Sequence, residues 1–134
     1  MRAMPGPRYA CAILVDPDGC LLLEQRPPSA RHAAGRLTCF GGRVEPGESA
    51  ARACRRELQE ELGWTRAPSP GGHLDLWVAG VWMARFFRVR APRGLHARQP
   101  GHCLRRLPWR LRAHPRISPW HRAVLGGSRL RVAG

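Results

Sequence analysis

The sequence predicts a mixed α/β domain, and three observations support this prediction. Two apolar runs flank a turn near the N-terminus, a helix with clear end signals follows, and two further apolar runs come after it. Of the 134 residues, 43% are hydrophobic, a share typical of globular proteins with a packed core. Because this length suits one compact domain, we expect a single domain over residues 1–134.

The first predicted elements are short buried strands. Residues 9–15 and 20–23 are apolar, and the Asp-Pro-Asp-Gly sequence at residues 16–19 is typical of a hairpin turn. Residues 26–36, which contain two prolines, predict an exposed loop. Residues 37–40 predict a third short strand that leads into two glycines.

The central helix is predicted from its two ends. Ser49 is a suitable N-cap for a helix over residues 50–62, because its hydroxyl can accept from a free backbone N–H of the first turn. Gly63 lies where the end of a helix favours a left-handed conformation. The predicted helix is therefore thirteen residues long.

The second half of the chain has a weaker pattern. Two strands are predicted over residues 73–78 and 81–89, where apolar runs meet at an Ala-Gly pair. Arginine, proline and glycine dominate further on. Only short helices near residues 107–113 and 120–125 are predicted there.

Every basic side chain other than histidine is an arginine. The chain has 23 arginines and 9 acidic residues, a formal net charge of +14, and residues 76–134 hold 13 arginines and no acid. Arginine binds phosphate oxygens through a bidentate fork, so a nucleic-acid or other phosphate-bearing partner is one interpretation of this basic C-terminal half. An arginine-rich composition set by a GC-rich genome is the other interpretation.

The sequence argues against the membrane, zinc and disulfide classes of protein. The longest apolar stretch, residues 76–84, is shorter than the roughly 20 residues of a membrane helix, and no secretory signal is recognised. Five scattered cysteines without a C-x-x-C pair argue against a zinc site and a disulfide framework. We expect a cytoplasmic monomer or homodimer that does not bind membranes.

Three glutamates crowd one face of the predicted helix. Glu57, Glu60 and Glu61 are spaced i, i+3 and i+4, and like charges at this spacing destabilise a helix by roughly 0.3 kcal/mol per pair. A bound divalent cation explains the cluster, since Mg²⁺ takes oxygen ligands and bridges to substrate phosphates. The alternative is a solvated helix face that Arg55 and Arg56 partly neutralise.

These glutamates belong to a longer pattern, over residues 42–64, that resembles the Nudix box of the Nudix hydrolases. The pattern is a glycine, five residues, a glutamate, seven residues and then Arg-Glu-U-x-Glu-Glu-x-Gly-U, where U is bulky and apolar. The matching residues are Gly42, Glu48, Arg56, Glu57, Leu58, Glu60, Glu61 and Gly63. Trp64 stands where the family more often has Ile, Leu or Val. This context argues against a merely solvated helix face.

The resemblance implies an α/β/α sandwich with a mixed β-sheet and hydrolysis of a nucleoside diphosphate linked to another moiety. It also implies that Glu57, Glu60 and Glu61, with the carbonyl of Gly41, bind Mg²⁺ or Mn²⁺. The ion would neutralise the diphosphate and lower the pKa of a bound water. A carboxylate would then take the proton of that water as it attacks in line.

The resemblance assigns roles to the remaining box residues as well. Arg56 corresponds to the arginine that orients the catalytic glutamate, so we expect it to act with the three glutamates in catalysis. Glu48 corresponds to a glutamate that supports the box. Gly42 and Gly63 match the two glycines of the pattern and are expected to support its shape.

The chain departs from many MutT-type members of the family in its second half. Those members place a further glutamate in a loop after the last long strand, whereas the similar residues 97–101 offer no carboxylate. Either a box glutamate is the base, or activity is low or altered. Glu24 and Asp75 are the only acids outside the box and the residue 16–18 turn, and neither is expected to be a ligand.

The expected substrate is a nucleoside triphosphate, ordinary or oxidised, that is cleaved to the monophosphate and pyrophosphate. ADP-ribose members usually carry a proline beyond the box, in the region where this chain has Gly80. Coenzyme A members carry an upstream signature that residues 26–40 match poorly, because Pro27 replaces its serine and Cys39 its phenylalanine. Substrates of these two kinds stay as alternatives.

Four residues outside the box are candidates for substrate contacts: Arg26, Phe40, Ser118 and Trp120. The last two fall where MutT-type members contact the base, and the Trp120 ring could stack on a purine or anchor a helix. The six histidines show no ligand spacing and are expected at the surface. The alternative function is a catalytically weak domain that binds nucleotide or RNA through the basic C-terminal half.

Overall fold

The fold is a mixed β-sheet with an α-helix on each face. The computed structural model describes residues 6–65, 72–98 and 103–126. The strands within these ranges are β1 (Tyr9–Val15), β2 (Cys20–Gln25), β3 (Leu37–Thr38), β4 (Phe40–Arg43), β5 (His73–Val78), β6 (Val81–Arg90) and β7 (Cys103–Pro108). The helices are α1 (Ala50–Leu62) and α2 (Pro119–Gly126), and a 3₁₀ turn spans Trp109–Leu111. The strand order is β3-β2-β1-β6-β5, while β4 also pairs with β1 and β7 with β2.

The centre of the sheet is β1, and its position explains why it is so apolar. It pairs in parallel with β6, from Tyr9 opposite Ala84 to Val15 opposite Arg90, and antiparallel with β2 and β4. Successive side chains of a strand face opposite sides of the sheet, so β1 contributes to a core on each side. The single parallel pair, among the described strands, makes the sheet mixed.

Each helix covers a separate apolar core. The core under α2 contains Cys11, Ile13, Leu21, Leu23, Leu37, Cys39, Leu76, Ala84, Phe86, Ile117, Val124 and Leu125. The core under α1 contains Ala10, Ala12, Leu14, Leu22, Phe40, Ala53, Cys54, Leu58, Leu62, Val89 and Ala91. Burial of these apolar side chains is the main force that fixes the two helices on opposite faces of the sheet.

The ends of α1 confirm the predicted signals. The Ser49 hydroxyl accepts a hydrogen bond from the backbone N–H of Arg52 over 3.2 Å. Gly63 has a φ of 64°, and its N–H donates to the carbonyl of Gln59. Neither α1 nor α2, the α-helices of the described ranges, is long and apolar enough to span a bilayer.

The region after residue 92 differs from the prediction. A helix is predicted near residues 107–113, but β7 (Cys103–Pro108) pairs antiparallel with β2 and a 3₁₀ turn follows it. The prediction is wrong because β7 has little apolar alternation of its own, and its strand conformation depends on the hydrogen bonds of its partner. The short helix expected near residues 120–125 is present as α2.

Candidate active site

The box lies beside a cavity of about 630 Å³ on the α2 face of the sheet. The walls come from the start of β1, the loop after β2, the glycines of β4 and the start of α2. Cavities of about 300–1,000 Å³ are typical of small-molecule sites. The fold therefore brings segments from both halves of the chain to one site of ligand size.

Two glycines allow the box to lie against the sheet. A side chain on Gly41 would overlap the carbonyl oxygen of Ala10, and one on Gly42 would overlap the Glu57 carboxylate. Because glycine has no Cβ, β4 can lie close to both β1 and α1. The N–H of Gly41 also donates to Oε1 of Glu61 over 3.2 Å. The glycines thus help to place two of the three clustered glutamates.

A network of hydrogen bonds surrounds Arg56, and we call it the Arg56 cluster: Arg56, Glu48, Glu57, Glu60 and the carbonyl of Arg43. The guanidinium Nε and Nη2 donate to the two carboxylate oxygens of Glu48 over 2.8 and 3.0 Å. Nη1 donates to Glu57 over 3.0 Å and lies 3.6 Å from Glu60, while Nη2 donates to the Arg43 carbonyl over 3.0 Å. The bonds from Arg56 lower the pKa of Glu48 to about 2.

The other carboxyl groups of the site are harder to ionise than Glu48. Burial raises the pKa of Glu57 even though Arg56 is bonded to it. Burial and the neighbouring carboxylates of Glu24 and Glu57 raise the pKa of Glu61. Glu24, which is buried in β2, shares a hydrogen bond with Glu61. Ionisation of Glu57 and Glu61 is therefore unfavourable unless a further positive charge offsets their burial and the neighbouring carboxylates.

The donor set fits a hard divalent cation. The crowded side chains are carboxylates, and a cation supplies the counter-charge that they lack. Across residues 6–65, 72–98 and 103–126, no three His, Cys, Asp or Glu side chains converge as a complete metal site. Mg²⁺ in general takes one or two carboxylates and completes its shell with water and substrate phosphates. Glu57, Glu60 and Glu61 are the box side chains that can hold it.

The structure brings three of the four expected substrate contacts to the cavity: Arg26, Ser118 and Trp120 line it. Phe40 does not, because its side chain is fully buried in the core under α1. The alternation of side chains along an extended chain explains the difference, since the neighbouring Cys39 lines the cavity and Phe40 points to the other face. Phe40 therefore has a packing role in this structure.

Two further residues of the cavity were not expected there. Glu24 lies inside the apolar run of β2, and its only sequence signal is an acid at a buried strand position. His121, expected at the surface, accepts a hydrogen bond at Nδ1 from the backbone N–H of Cys39 over 3.0 Å and packs edge-on against Phe86. Burial, with a smaller effect of Arg26, lowers the pKa of His121 to about 4. The imidazole is therefore neutral at pH 7, with its proton on Nε2.

The basic C-terminal half contributes no arginine to the described lining of this cavity, whose guanidinium groups belong to Arg8 and Arg26. Arg98 approaches the box from outside the cavity, where its backbone N–H donates to the carbonyl of Glu61 over 2.9 Å. The loop over residues 97–101, in which a carboxylate is missing, lies partly outside the described residues. The described part of this loop, residues 97–98, thus contacts the end of α1.

Comparisons with known proteins agree with this geometry. The NUDIX domain model matches residues 5–110. The CTP pyrophosphohydrolase of Escherichia coli (strain K12) is 48% identical over 52 residues, which cover 39% of this chain and 38% of that protein. The nucleoside triphosphatase NudI of Salmonella newport (strain SL254) is 44% identical over 50 residues, 37% of this chain and 36% of that protein. The chain thus spans less than two fifths of these curated relatives.

A solved structure has the same arrangement of elements. The crystal structure of the MutT protein from Methanosarcina mazei Go1 matches with a TM-score of 0.71 and covers 94% of both chains. The two sequences are 20% identical, so this likeness concerns the fold alone. It extends beyond the box to nearly the whole chain.

Proposed function

The chain belongs to the Nudix hydrolases, and we propose that it hydrolyses a nucleoside triphosphate, ordinary or oxidised, to the monophosphate and pyrophosphate. The membership confirms the predicted family, the mixed α/β fold and the hydrolase class. The observation that carries the finer proposal is the excess of carboxylates around a single arginine, beside a cavity of nucleotide size.

Nudix enzymes generally use a divalent metal ion, and the ion proposed here is Mg²⁺ or Mn²⁺. The residues proposed to hold it are Glu57, Glu60, Glu61 and the carbonyl of Gly41. When bound, such an ion neutralises phosphate charge and lowers the pKa of water. Its binding also offsets the burial and, to a smaller extent, the repulsion between carboxylates that raise the pKa values of Glu57 and Glu61.

The side chains of the box have two proposed roles: they orient the glutamates, and one of these glutamates accepts the proton of the attacking water. Glu48 holds Arg56 through two hydrogen bonds and Arg56 holds Glu57 through a third, so the Glu57 carboxylate has a fixed orientation while the water attacks in line. The Gly41 N–H holds Glu61 in the same way. The proton of the attacking water passes to a box glutamate. We assign the base to the box because residues 76–134 contain no acid.

The start of α2 is proposed to bind the nucleobase. Trp120 is 45% exposed at the cavity and offers a ring on which a base can stack. Neutral His121 can donate from Nε2 to an acceptor on the base edge, and the Ser118 hydroxyl lies in the same wall. Arg8 and Arg26 supply positive charge for the phosphates.

A substrate screen tests this proposal. The protein is incubated with Mg²⁺ and, in separate reactions, with ordinary and oxidised nucleoside triphosphates, ADP-ribose, dinucleoside polyphosphates, coenzyme A and 5′-capped RNA. CTP and dCTP come first because one relative is named a CTP pyrophosphohydrolase. Ion-exchange chromatography should show a monophosphate and pyrophosphate as joint products. Release of orthophosphate, or a higher kcat/KM for coenzyme A or ADP-ribose, contradicts the proposal.

A pair of variants tests the nucleobase contacts. Trp120→Ala should raise KM for the preferred triphosphate by about tenfold with little change in kcat, because stacking on an aromatic ring contributes about 1–3 kcal/mol. Phe40→Leu is the matched control, since that ring lies in the core and should change thermal stability but not KM. An unchanged KM in the Trp120 variant, or equal changes in both, overturns the assignment of the base site.

A further inference from the structure

A second cavity, of about 510 Å³, lies on the same face of the sheet as the first. Its β1 residues are Ile13 and Val15, whereas the first cavity takes Tyr9 and Cys11 from the start of that strand, so the two linings are about 7 Å apart along β1 at their nearest. It meets the end of α2 at Val124 and Leu125, whereas the first cavity meets the start of that helix. No described lining residue is shared, so the two cavities are separate.

Three arginines of the basic C-terminal half line this second cavity. Arg88 and Arg90 are two residues apart on β6, so they project from the same face of the sheet about 7 Å apart, and Arg112 follows the 3₁₀ turn. The described lining contains no acid. Like charges on neighbouring positions of a strand repel, and here no carboxylate of the lining offsets the repulsion.

Other arginines of the basic C-terminal half form ion pairs with aspartates. The two carboxylate oxygens of Asp75 accept from Arg85 over 2.9 and 3.0 Å, and the indole of Trp82 also donates to Asp75. Arg93 pairs with Asp18 over 2.7 Å. Among the described residues, no ion pair involves Arg88, Arg90 or Arg112 of the second cavity. Their charge is thus available to an anion.

The second cavity also has surfaces for a planar apolar group. Its inner wall is formed by Ile13, Leu74 and Val124, which belong to the core under α2 or pack against it. Trp109 at the cavity is 39% exposed, and the guanidinium of Arg112 lies 5.2 Å from the centre of its ring. A ring and a guanidinium in this arrangement offer a stacking surface next to a positive charge.

We propose that the second cavity binds a nucleotide unit, with its phosphate at Arg88, Arg90 and Arg112 and its base against Trp109 and the apolar wall. The phosphate of a nucleotide can bind the guanidinium groups, and its base can pack on the Trp109 ring and the apolar wall. Inorganic phosphate would contact only the arginines. The backbone and carboxylates of an acidic peptide provide no planar base to pack on the ring. A free nucleotide and one residue of a single strand present the same chemistry. The site is independent of the proposed hydrolysis.

Binding measurements on two matched double variants test the proposal. One is Arg88→Gln/Arg90→Gln, and the control Arg52→Gln/Arg55→Gln removes the same charge from exposed positions of α1. The probes are a fluorescein-labelled single-stranded RNA of about ten nucleotides, followed by anisotropy, and CMP, followed by calorimetry, both in EDTA. Hydrolysis of the preferred triphosphate is measured separately for each protein with Mg²⁺.

The Arg88/Arg90 variant should raise the dissociation constant for RNA by about tenfold, and the slope of log K against log salt should fall in magnitude by roughly 1.4 for two lost phosphate contacts. Trp109→Ala should weaken binding in the same direction. The control should bind like the wild type, and hydrolysis should be unchanged in all. Weaker CMP binding in the same variant identifies a free-nucleotide site as well, and an effect on RNA alone identifies a strand site.

Two results overturn the proposal. Equal losses in both double variants mean that net charge alone governs binding, and no binding of either probe to the wild type at about 50 mM salt means that the cavity has no nucleotide affinity. A failure of hydrolysis with intact RNA binding would refute the proposed activity but leave this site in place. Loss of hydrolysis only in the Arg88/Arg90 variant would contradict the independence of the two cavities.

Discussion

Two clusters of arginine and carboxylate side chains differ in their balance of charge. In the Arg56 cluster one guanidinium lies within 3.6 Å of the carboxylates of Glu48, Glu57 and Glu60. A further carboxylate, that of Glu45, lies 3.8 Å away. One positive charge cannot neutralise this number of carboxylates. The other carboxyl groups of the box lie on α1, where Glu61 accepts a hydrogen bond from Gly41 in the wall of the first cavity.

The second group, which we call the Arg106 cluster, consists of Arg106, Asp16, Asp18 and Arg93. Arg106 lies 2.6 Å from Asp16 and 3.3 Å from Asp18, and Arg93 lies 2.7 Å from Asp18. Asp16 also accepts the backbone N–H groups of Asp18 and Cys20, both over 2.9 Å. Two arginines thus face two aspartates at the turn between β1 and β2.

The two clusters thus differ in charge balance, and we propose that this difference distinguishes the carboxylates that act in hydrolysis from those that only stabilise the fold. Burial opposes ionisation of Asp16, but the hydrogen bonds from Cys20, Arg106 and Asp18 outweigh it and lower its pKa. In the Arg56 cluster burial prevails at Glu57, whose pKa is raised. The Arg106 cluster joins β7 to the turn between β1 and β2. The Arg56 cluster has more carboxylates than guanidinium groups, and we propose that a further cation binds there.

The largest expected effect is on catalysis by the unbalanced cluster and its neighbour Glu61. Glu60→Gln and Glu61→Gln should each lower kcat at least about 100-fold, the usual scale for a lost proton acceptor or metal ligand. Asp18→Asn, the control from the Arg106 cluster, should keep the kcat of the wild type. Glu61→Gln should also raise Tm in EDTA, because it replaces a carboxyl group whose ionisation is opposed by burial and by the neighbouring Glu24. Normal hydrolysis by either variant, or unfolding of both, contradicts the assignment.

The second prediction compares the two arginines directly. Arg56→Lys should lower kcat/KM roughly tenfold or more, since an ammonium cannot reproduce the fork that joins Glu48 and Glu57. Arg106→Lys should leave kcat/KM unchanged and lower only thermal stability. Steady-state kinetics and thermal melts of both variants provide the measurement. Equal losses of kcat/KM would mean that the two clusters do not differ in function.

The third prediction separates the acid sensitivity of His121 from that of Asp16. The pKa of His121 is about 4 in the fold, below the 6.5 of the unfolded chain, so its contribution to stability is complete above about pH 6.5 and is lost as the pH falls to about 4. At about 1.36 kcal/mol per pKa unit, the loss at pH 5 is about 2 kcal/mol. The contribution of Asp16 should disappear only at lower pH, because its folded pKa is lowered below 3.8.

Urea unfolding of the wild type and His121→Gln at about pH 7.5 and pH 5 checks this value. The difference between the two proteins is the relevant quantity, because the raised pKa of Glu61 affects stability with the opposite sign. The variant should lose less stability than the wild type as the pH falls. An identical loss in both proteins would show that His121 does not change its protonation on unfolding.

The box was predictable because its geometry is set within one helix. Spacings of three and four residues bring Glu57, Glu60 and Glu61 to one side of a helix wherever that helix lies. Ser49 and Gly63 define its ends through bonds to residues of the same helix. Strands β1, β2, β5 and β6 likewise follow from local apolar runs. These features depend on neighbours in the chain.

The remainder of the site depends on contacts between distant segments. Glu24 reaches Glu61 only because β2 and α1 meet at the sheet, and His121 enters the cavity only because α2 begins next to Cys39. Arg106 faces Asp16 because β7 pairs with β2. Such pairings between distant segments leave no periodic pattern in the sequence. For this reason the sequence predicts a helix near residues 107–113 and a surface position for His121, and both predictions are wrong.

The dependence of hydrolysis on a divalent ion tests the central claim most directly, namely that the excess carboxylates of the box need a cation to act. The rate of pyrophosphate release from the preferred triphosphate is measured in excess EDTA and during titration with Mg²⁺ or Mn²⁺, at neutral and alkaline pH. We expect no turnover in EDTA, recovery with either ion and a rate that rises toward alkaline pH, because a metal ion lowers the pKa of the attacking water. Full turnover in excess EDTA would contradict the account.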